Sequence, residues 1–167
     1  MQIRAHTARD YHQLAELRWL LKAEDEPILS DGARDRFAQD YEEQLRSSDA
    51  LGDTQHWVID DAPLLAGALT IRIVRKELSP QADTAAWGYL TNMFVRESLR
   101  RRGLGSELLK HAIDWAIATD LELLIVWPSE CSYSFYRRAG FRGESDPLEL
   151  LLEDRNCKRN KQASDLS

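Results

Sequence analysis

The segment from Trp87 to Trp127 constrains the fold of this 167-residue chain more than any other part of the sequence. Its first apolar run, Trp87 to Val95, predicts a strand. Three arginines and a Gly-x-Gly follow, and a helical pattern then extends from about Gly103 to Thr119. The wide apolar stripe of this helix predicts that it packs against a sheet. A nearly continuous apolar run from Leu121 to Trp127 predicts a further, central strand.

Helical and strand patterns also alternate on both sides of this segment. The predicted elements are a strand over residues 1–6, a helix that begins at Thr7-Ala-Arg-Asp10 and places Leu14, Leu17, Leu20 and Leu21 on one face, a helix from Ala33 to Arg46, strands at His56–Ile59 and Leu64–Val74, a helix from Ser129 to Ala139 with Gly140 as its C-cap, and last strands led by Phe141 and Leu148–Leu152. Together they predict an α/β or α+β fold, in which helices flank a mixed, mostly antiparallel central sheet.

The length of the chain suits one hydrophobic core. We therefore expect a single domain over residues 1–152 and a disordered polar tail over residues 153–167. No signal peptide or membrane-spanning apolar run is visible, so the sequence predicts a cytoplasmic protein without membrane contact. Cys131 and Cys157 have no metal-ligand spacing, and no metal is expected. The net charge of −6 argues against nucleic acid as a partner.

The stretch LRRRGLGSELL, from Leu99 to Leu109, places a positive cluster at a helix start in an acidic chain. The first backbone N–H groups of a helix lack partners within it, and the helix dipole makes that end attract anions. The two glycines leave the backbone accessible, and the three arginines add charged donors. The pattern fits a phosphate-binding segment, and the alternative is an exposed basic helix start with two loop glycines. This segment, called the phosphate cradle below, consists of Arg100, Arg101, Arg102, Gly103, Leu104, Gly105 and Ser106.

Two motifs in this order resemble the GNAT superfamily of acyl-CoA-dependent N-acyltransferases. The family's Arg/Gln-x-x-Gly-x-Gly/Ala motif is matched in full by Arg100-Arg-Arg-Gly103-Leu-Gly105, directly after a predicted strand. Its Tyr-x-x-x-Gly-Phe motif is matched within SFYRRAGF, from Ser134 to Phe141. The resemblance is specific from about Trp87 to Phe141 and unspecific from Met1 to Val74.

The resemblance implies an N-acetyltransferase in which an amine attacks acetyl-CoA directly, without a covalent enzyme intermediate. Backbone groups of Met93, Phe94 and Val95 would pair with the pantetheine arm as if it were an added strand. The amides of residues 102–106 would hold the pyrophosphate. Tyr136 aligns with the tyrosine that in many members donates a proton to the departing CoA thiolate. The alternative for Tyr136 is a core aromatic residue that packs beside Phe135.

The sequence departs from the family at two positions near that tyrosine. Members often carry Asn seven residues before it and Ala four residues before it, whereas this chain has Ser129 and Ser132. A serine hydroxyl can still form a hydrogen bond with a pantetheine carbonyl. Ser129 and Ser132 are therefore kept as candidate CoA contacts.

The reaction also requires a base, because an amine is mostly protonated at pH 7. The resemblance places the loop with Glu24, Asp25 and Glu26 at the border of the acceptor site, so Glu24 and Glu26 are candidate catalytic bases. Asn92 and His56 are further polar candidates, and the alternative for His56 is a structural role at a strand end. A strand amide near Phe94 is expected to stabilise the oxyanion.

The acidic residues are concentrated in the first part of the chain. Residues 1–60 hold 13 Asp and Glu against 7 Lys and Arg, so this part alone carries a charge of −6. With the placement that the resemblance implies for Glu24, Asp25 and Glu26, such a surface predicts a cationic acceptor, a small-molecule or peptide amine, and the alternative is a solvated acidic face. A second function also stays open at this point, a non-catalytic CoA-binding or interaction module. A homodimer is likewise left open.

Overall fold

The computed structural model describes residues 1–24, 31–77, 80 and 86–143. Glu26, the strand expected at Leu148–Leu152 and the polar tail over residues 153–167 lie outside the described residues. Within them, the chain forms five strands and four α-helices. The elements are β1 (Gln2–Ala5), α1 (Tyr11–Ala23), α2 (Asp31–Leu51), β2 (Thr54–Asp61), β3 (Leu64–Arg75), β4 (Ala86–Val95), α3 (Leu104–Ala118), β5 (Leu124–Ile125) and α4 (Tyr133–Arg138).

The sheet has the strand order β1-β2-β3-β4-β5. The first four strands are antiparallel neighbours, and β5 pairs with β4 in parallel. A parallel pair needs a crossover connection, and α3 supplies it between β4 and β5. The prediction of a mixed, mostly antiparallel sheet flanked by helices is confirmed.

Strand β4 contains a bulge at the centre of the sheet. Ala68 pairs with Phe94 and Thr70 pairs with Thr91, so Asn92 and Met93 lie opposite the single residue Leu69. Asn92 adopts a φ of 53°, which is a left-handed conformation that asparagine tolerates better than most residues. A bulge of this kind bends the strand and increases its twist locally.

Two apolar clusters pack on opposite faces of the sheet. One lies under α3 and includes Trp57, Leu69, Ile71 and Leu108. The other lies under α1 and α2, where Leu14, Leu17, Leu45, Val58, Ala68 and Phe94 are buried together. Burial of each large apolar side chain stabilises the fold by about 1.5–3 kcal/mol, and the two clusters fix the helices on the sheet.

The first helices begin and extend largely as their sequence signals indicate. The backbone N–H of Thr7 donates to the Asp10 carboxylate over 2.7 Å, which confirms the capping box that precedes α1. Helix α2 extends beyond the predicted Ala33–Arg46 to Leu51, because Leu45 and Ser48 of its later turns are buried against the sheet. Gly140, with a φ of 97°, follows α4 as predicted.

The prediction of a strand from Leu121 to Trp127 was wrong in its length. Only Leu124 and Ile125 form β5, and among the described residues this strand lies at the end of the sheet with β4 as its one neighbour. The apolar run is explained by packing, since Leu121, Leu124 and Val126 contact the core under α3. Similarly, Ser129–Ala139 is divided into a 3₁₀ turn at Glu130–Ser132 and α4.

None of the helices in the described part of the chain combines the length and the apolar character needed to cross a membrane.

Candidate active site

In the part of the chain that the structure describes, the edge of β4 that faces β5 is open over much of its length. The two strands pair only at Gly88 with Leu124 and at Tyr89 with Ile125, although β4 continues to Val95. On the other side, β4 pairs with β3 up to Val95. Among residues 1–24, 31–77, 80 and 86–143, no strand pairs with this edge after Tyr89, and such an edge can pair with an extended ligand. Met93, Phe94 and Val95, the residues predicted to pair with pantetheine, lie on this part of the strand.

The phosphate cradle lies where β4 leads into α3. The first hydrogen bond within α3 joins the N–H of Glu107 to the carbonyl oxygen of Gly103 over 3.1 Å. No side chain of the described residues caps this end, so the amides of Leu104, Gly105 and Ser106 are available to an anion. Gly103 has a φ of 82°, which a residue without a side chain adopts at little cost.

The three arginines of the phosphate cradle are not equivalent. Arg100 donates from Nε to the carbonyl oxygen of Val95 over 2.9 Å, contacts Glu24 through Nη2, and lies over the Phe94 ring. Arg101 and Arg102 are exposed, and Arg101 has a positive φ of 62°. Arg100 therefore fastens the segment to β4, while Arg101 and Arg102 remain candidates for direct phosphate contacts.

Gly105 brings the start of α3 close to β4 and α4. A Cβ atom built at Gly105 would lie 3.3 Å from Met93 Cε and 3.7 Å from Phe135 Cε2. A larger side chain would therefore crowd both neighbours. The glycine is explained by this close approach in addition to the access that it gives to the backbone.

Tyr136 of α4 is 6% exposed and lies beside β4 in the cluster under α3. Its ring makes edge-on contacts with Phe135 and Phe141, with centroids 5.0 and 5.5 Å away. Burial and the nearby Tyr89 raise the pKa of the Tyr136 phenol to about 12, so it carries its proton at neutral pH. A protonated phenol can act as a general acid, and Tyr136 also packs as a core residue.

Ser129 and Ser132 form a local turn before α4. Their hydroxyl oxygens lie 3.1 Å apart, and the Ser132 hydroxyl donates to the carbonyl oxygen of Ser129 over 2.9 Å. Ser129 is exposed, and its hydroxyl also lies 3.3 Å from Cys131 Sγ. Their role as CoA contacts stays a prediction.

Glu24 is the candidate base that the structure describes. Its carboxylate forms an ion pair with Arg100. Glu26 lies outside the described residues, so the assignment of either residue as a base stays a prediction.

Many carboxylates of the acidic first part of the chain are paired with arginines or lie within hydrogen-bond distance of histidines. The pairs are Arg4 with Asp10 and Asp60, His6 with Asp49, His12 and Arg46 with Glu42, and Glu16 with Arg34 and Arg96. These partners reduce the negative field on which the prediction of a cationic acceptor depends.

A polar cavity of about 310 Å³ lies between α2 and the sheet, on the face opposite Tyr136. Its floor is built by strand register, because Thr54, Arg72 and Tyr89 are cross-strand neighbours in one row. The adjacent row is formed by His56, Thr70 and Thr91. Its remaining lining residues are Arg18, Tyr41, Gln44, Leu45, Ser48 and Asn92. The volume suits a small polar molecule.

Sequence reasoning missed Arg18, Tyr41 and Arg72 as candidate site residues. A signal was available in β3, where Thr70 and Arg72 stand two residues apart in an otherwise apolar strand and therefore share one face. Asn92, predicted as a polar candidate, donates from Nδ2 to the Tyr41 hydroxyl over 2.9 Å. The bulge of β4 thus places Asn92 at the border of the cavity.

His56 lies inside β2 rather than at its end, and it is 3% exposed. Its Nδ1 is 2.8 Å from the Thr70 hydroxyl, and its Nε2 has no partner among the described residues. Burial, together with the positive charges nearby, lowers the pKa of His56 to about 4, so its ring is neutral at pH 7. His56 is therefore both a buried structural residue and a polar group of the cavity.

His6 and Asp49 lie beside His56, and ligand atoms of the three residues lie within 4.8 Å of one another. Asp49 is already engaged, because it accepts hydrogen bonds from Tyr11 over 2.5 Å and from His6 over 2.9 Å. These bonds outweigh burial and hold the pKa of Asp49 below its usual value. Hydrogen bonds thus join α1 and α2 through Asp49. They reach β2 through the backbone N–H of His6, which donates to the carbonyl oxygen of His56 over 3.1 Å.

The mixed sheet, the open edge of β4 and the uncapped helix start at its end form a site that suits an extended ligand with an anionic end. A sequence profile of the acetyltransferase (GNAT) family matches residues 12–141, and the chain belongs to this family. The resemblance noted from the two motifs is thus confirmed. No curated protein sequence matches the chain significantly.

Solved structures share the fold at low sequence identity. A predicted acetyltransferase from Clostridium acetobutylicum, solved with acetyl-CoA, superposes with a TM-score of 0.75 at 18% identity and covers 92% of this chain and 97% of its own. Glucosamine-6-phosphate N-acetyltransferase from Arabidopsis thaliana gives a TM-score of 0.68 at 16% identity, with 90% and 97% covered. An aminoglycoside 6′-N-acetyltransferase from Acinetobacter haemolyticus gives 0.66 at 16% identity, with the same coverage.

Proposed function

We propose that the protein is an N-acetyltransferase that uses acetyl-CoA to acetylate the primary amine of a small polar molecule. One observation carries the proposal: β4 brings an open strand edge, the phosphate cradle and the border of a polar cavity into one continuous line, with Tyr136 beside it. Membership in the GNAT family and the neighbour solved with acetyl-CoA support the choice of co-substrate.

Acetyl-CoA would extend along the open edge of β4, with its phosphates at the phosphate cradle. The backbone of Met93, Phe94 and Val95 would pair with the pantetheine arm, although the Val95 carbonyl already accepts a hydrogen bond from Arg100. The amides at the start of α3 would then hold the pyrophosphate, with Arg101 and Arg102 nearby.

The neutral amine would attack the thioester carbon, so that a C–N bond forms and the C–S bond breaks. A strand amide near Phe94 would stabilise the oxyanion that forms in between. Tyr136 would give its proton to the leaving sulfur, and the proton released by the amine would pass to a base or to water. The products are an acetamide and CoA, and no covalent enzyme intermediate is needed.

The size and polarity of the cavity favour a small acceptor over a folded protein surface. The sequence predicts a cationic acceptor, whereas the described residues that line the cavity include Arg18 and Arg72 and no Asp or Glu.

The test is acetyl-CoA binding by calorimetry, combined with thiol release over a panel of amino acids, amino sugars, aminoglycosides, polyamines and peptides. We expect binding, amine-dependent thiol release, and a product heavier by one acetyl group on nitrogen. Binding without acetylation of any amine would favour the non-catalytic CoA-binding module. Absence of binding by the folded protein would overturn the proposal.

A further inference from the structure

Positively charged side chains line the polar cavity, and they do not belong to the phosphate cradle. Arg18 of α1 and Arg72 of β3 both line it. The phosphate cradle begins after Val95, beyond the end of β4, whereas the cavity lies over the part of the strand from Tyr89 to Asn92. The two arginines are therefore available to a second ligand.

Neither Arg18 nor Arg72 forms a salt bridge or a hydrogen bond within the described part of the chain. Most other arginines near the first two helices are paired with carboxylates. The paired residues are Arg4, Arg34, Arg46, Arg96 and Arg100. Among the described residues that line the cavity there is no Asp or Glu. Two unpaired guanidinium groups thus face a polar space without an internal counter-charge.

The two charges act on the same part of the cavity. Burial raises the pKa of the Tyr41 phenol, and the charges of both Arg18 and Arg72 oppose this rise. Tyr41 is held in place by the hydrogen bond from Asn92. Arg18 and Arg72 therefore line the same cavity as Tyr41, a side chain that is itself fixed to the bulge of β4.

We propose that this cavity is the acceptor site and that it selects an amine bearing an anionic group, a carboxylate or a phosphate, which Arg18 and Arg72 bind. Guanidinium groups form paired, charge-assisted hydrogen bonds with both anions. Arg18 and Arg72 are thus specificity-determining residues for the acceptor. This inference rests on the proposed function for the role of the bound molecule, and it replaces the cationic acceptor predicted from the sequence.

The test measures binding rather than turnover, by calorimetry in the presence of CoA without an acetyl group. Matched pairs of amines serve as probes: each standard amino acid against its C-terminal amide, and glucosamine against glucosamine 6-phosphate. Spermidine serves as the cationic probe. We expect at least one anionic member to bind at least tenfold more tightly than its neutral partner, which is the scale of charge-assisted hydrogen bonds. The two kinds of pair distinguish carboxylate from phosphate.

Substitutions test whether Arg18 and Arg72 cause the preference for anionic probes. In the Arg18→Gln/Arg72→Gln protein the tenfold preference should fall below about threefold, with CoA affinity unchanged. Arg75→Gln is the matched control, because Arg75 is an exposed arginine of the same strand that does not line the cavity. Arg72→Gln alone, which changes an exposed side chain, should show part of the loss and provides the test if the double variant does not fold.

The inference is overturned if no anionic probe outbinds its neutral partner, if spermidine binds as tightly, or if the preference survives both substitutions. Thiol release separates the two proposals. Anion-selective binding without acetyl transfer would contradict the proposed function and leave the anion site standing. Transfer confined to neutral or cationic amines would contradict the anion site and leave the proposed function standing.

Discussion

The guanidinium of Arg100 donates from Nε to the carbonyl oxygen of Val95 across 2.9 Å, and it contacts Glu24 through Nη2. The last residue of β4 is thereby joined to the first residue of the phosphate cradle and to the end of α1. The family motif begins at Arg100, yet in this chain the side chain of Arg100 stabilises the position of the segment. On the proposed function, the phosphates would be contacted by the backbone amides and by the two following arginines.

The contact of Arg100 with Val95 predicts that Arg100→Lys weakens acetyl-CoA binding although it keeps the charge. An ammonium group cannot reproduce the two separate contacts that the guanidinium makes. Loss of about one hydrogen bond corresponds to a roughly fivefold larger dissociation constant for acetyl-CoA, measured by calorimetry. Arg75→Lys is the control and should bind as the parent does, because Arg75 is exposed on β3 and lies outside the phosphate cradle. Equal affinity of the Arg100→Lys variant and the parent would refute this positioning role.

The distance between Gly105 and Met93 predicts a second effect. A valine at position 105 would press on Met93 and Phe135, which lie 3.3 and 3.7 Å from a Cβ atom there. Overpacking of this kind costs about 1–3 kcal/mol and displaces the start of α3 from β4. Gly105→Val should therefore lower the thermal midpoint and weaken acetyl-CoA binding at least tenfold. Gly143→Ala is the control, since a Cβ at Gly143 meets nothing within 4 Å. A folded Gly105→Val protein with unchanged affinity would sink the prediction.

The fold was largely accessible from the sequence because its signals are local. Asp10 follows Thr7 by three residues, as a capping box requires, and the apolar spacing of the helix before Thr119 indicates its buried face. The limits of β5 were not accessible in this way. The pairing of the run after Leu121 with β4 ends at Tyr89, and no local pattern encodes where two distant strands separate.

The candidate site was likewise predictable from the sequence only where its residues are neighbours in the chain. The phosphate cradle was visible because its glycines and arginines are consecutive, whereas the direction of the Arg100 side chain depends on Glu24, which is 76 residues away. The rows of polar residues on the floor of the cavity come from three strands, and only their register brings Arg72 beside Thr54 and Tyr89. A single polar pair in β3 is a weak signal until its neighbours are known.

The burial of Tyr136 leads to a prediction about the leaving group. Tyr136→Phe removes the hydroxyl and keeps the ring contacts with Phe135 and Phe141. We expect kcat to fall by roughly 10²-fold, the usual scale of general acid catalysis, with little change in acetyl-CoA affinity. Because the pKa of Tyr136 is about 12, no loss of activity below about pH 10 should arise from its ionisation. A kcat within about twofold of the parent would assign the proton to water or another group.

The buried His56 predicts a specific acid sensitivity of the fold. Its pKa is about 4 in the folded chain against an ordinary value of 6.5, so the folded state disfavours the charged ring. Between these two values the unfolded chain binds the proton and the folded chain does not, and stability therefore rises with pH across this interval. The full contribution is present above pH 6.5 and is lost as the pH falls to 4. The difference between the two pKa values corresponds to about 3 kcal/mol in the free energy of unfolding.

Asp10 acts in a lower pH range and separates the two effects. Its hydrogen bonds with Arg4 and Thr7 lower its pKa from 3.8 to about 2, so its contribution is present above pH 3.8 and is lost below it. The free energy of unfolding, measured with denaturant at pH 7, 6, 5 and 4, should decline with falling pH in the parent. In His56→Asn the decline should be smaller by about 3 kcal/mol. Asparagine can retain the hydrogen bond with Thr70 but does not titrate, and His6, Asp49 and Arg72 are the same in both proteins. Asp10→Asn should keep the parent's decline between pH 6.5 and 4. Parallel curves for the parent and His56→Asn would show that the ring of His56 is protonated in the folded protein or reached by water.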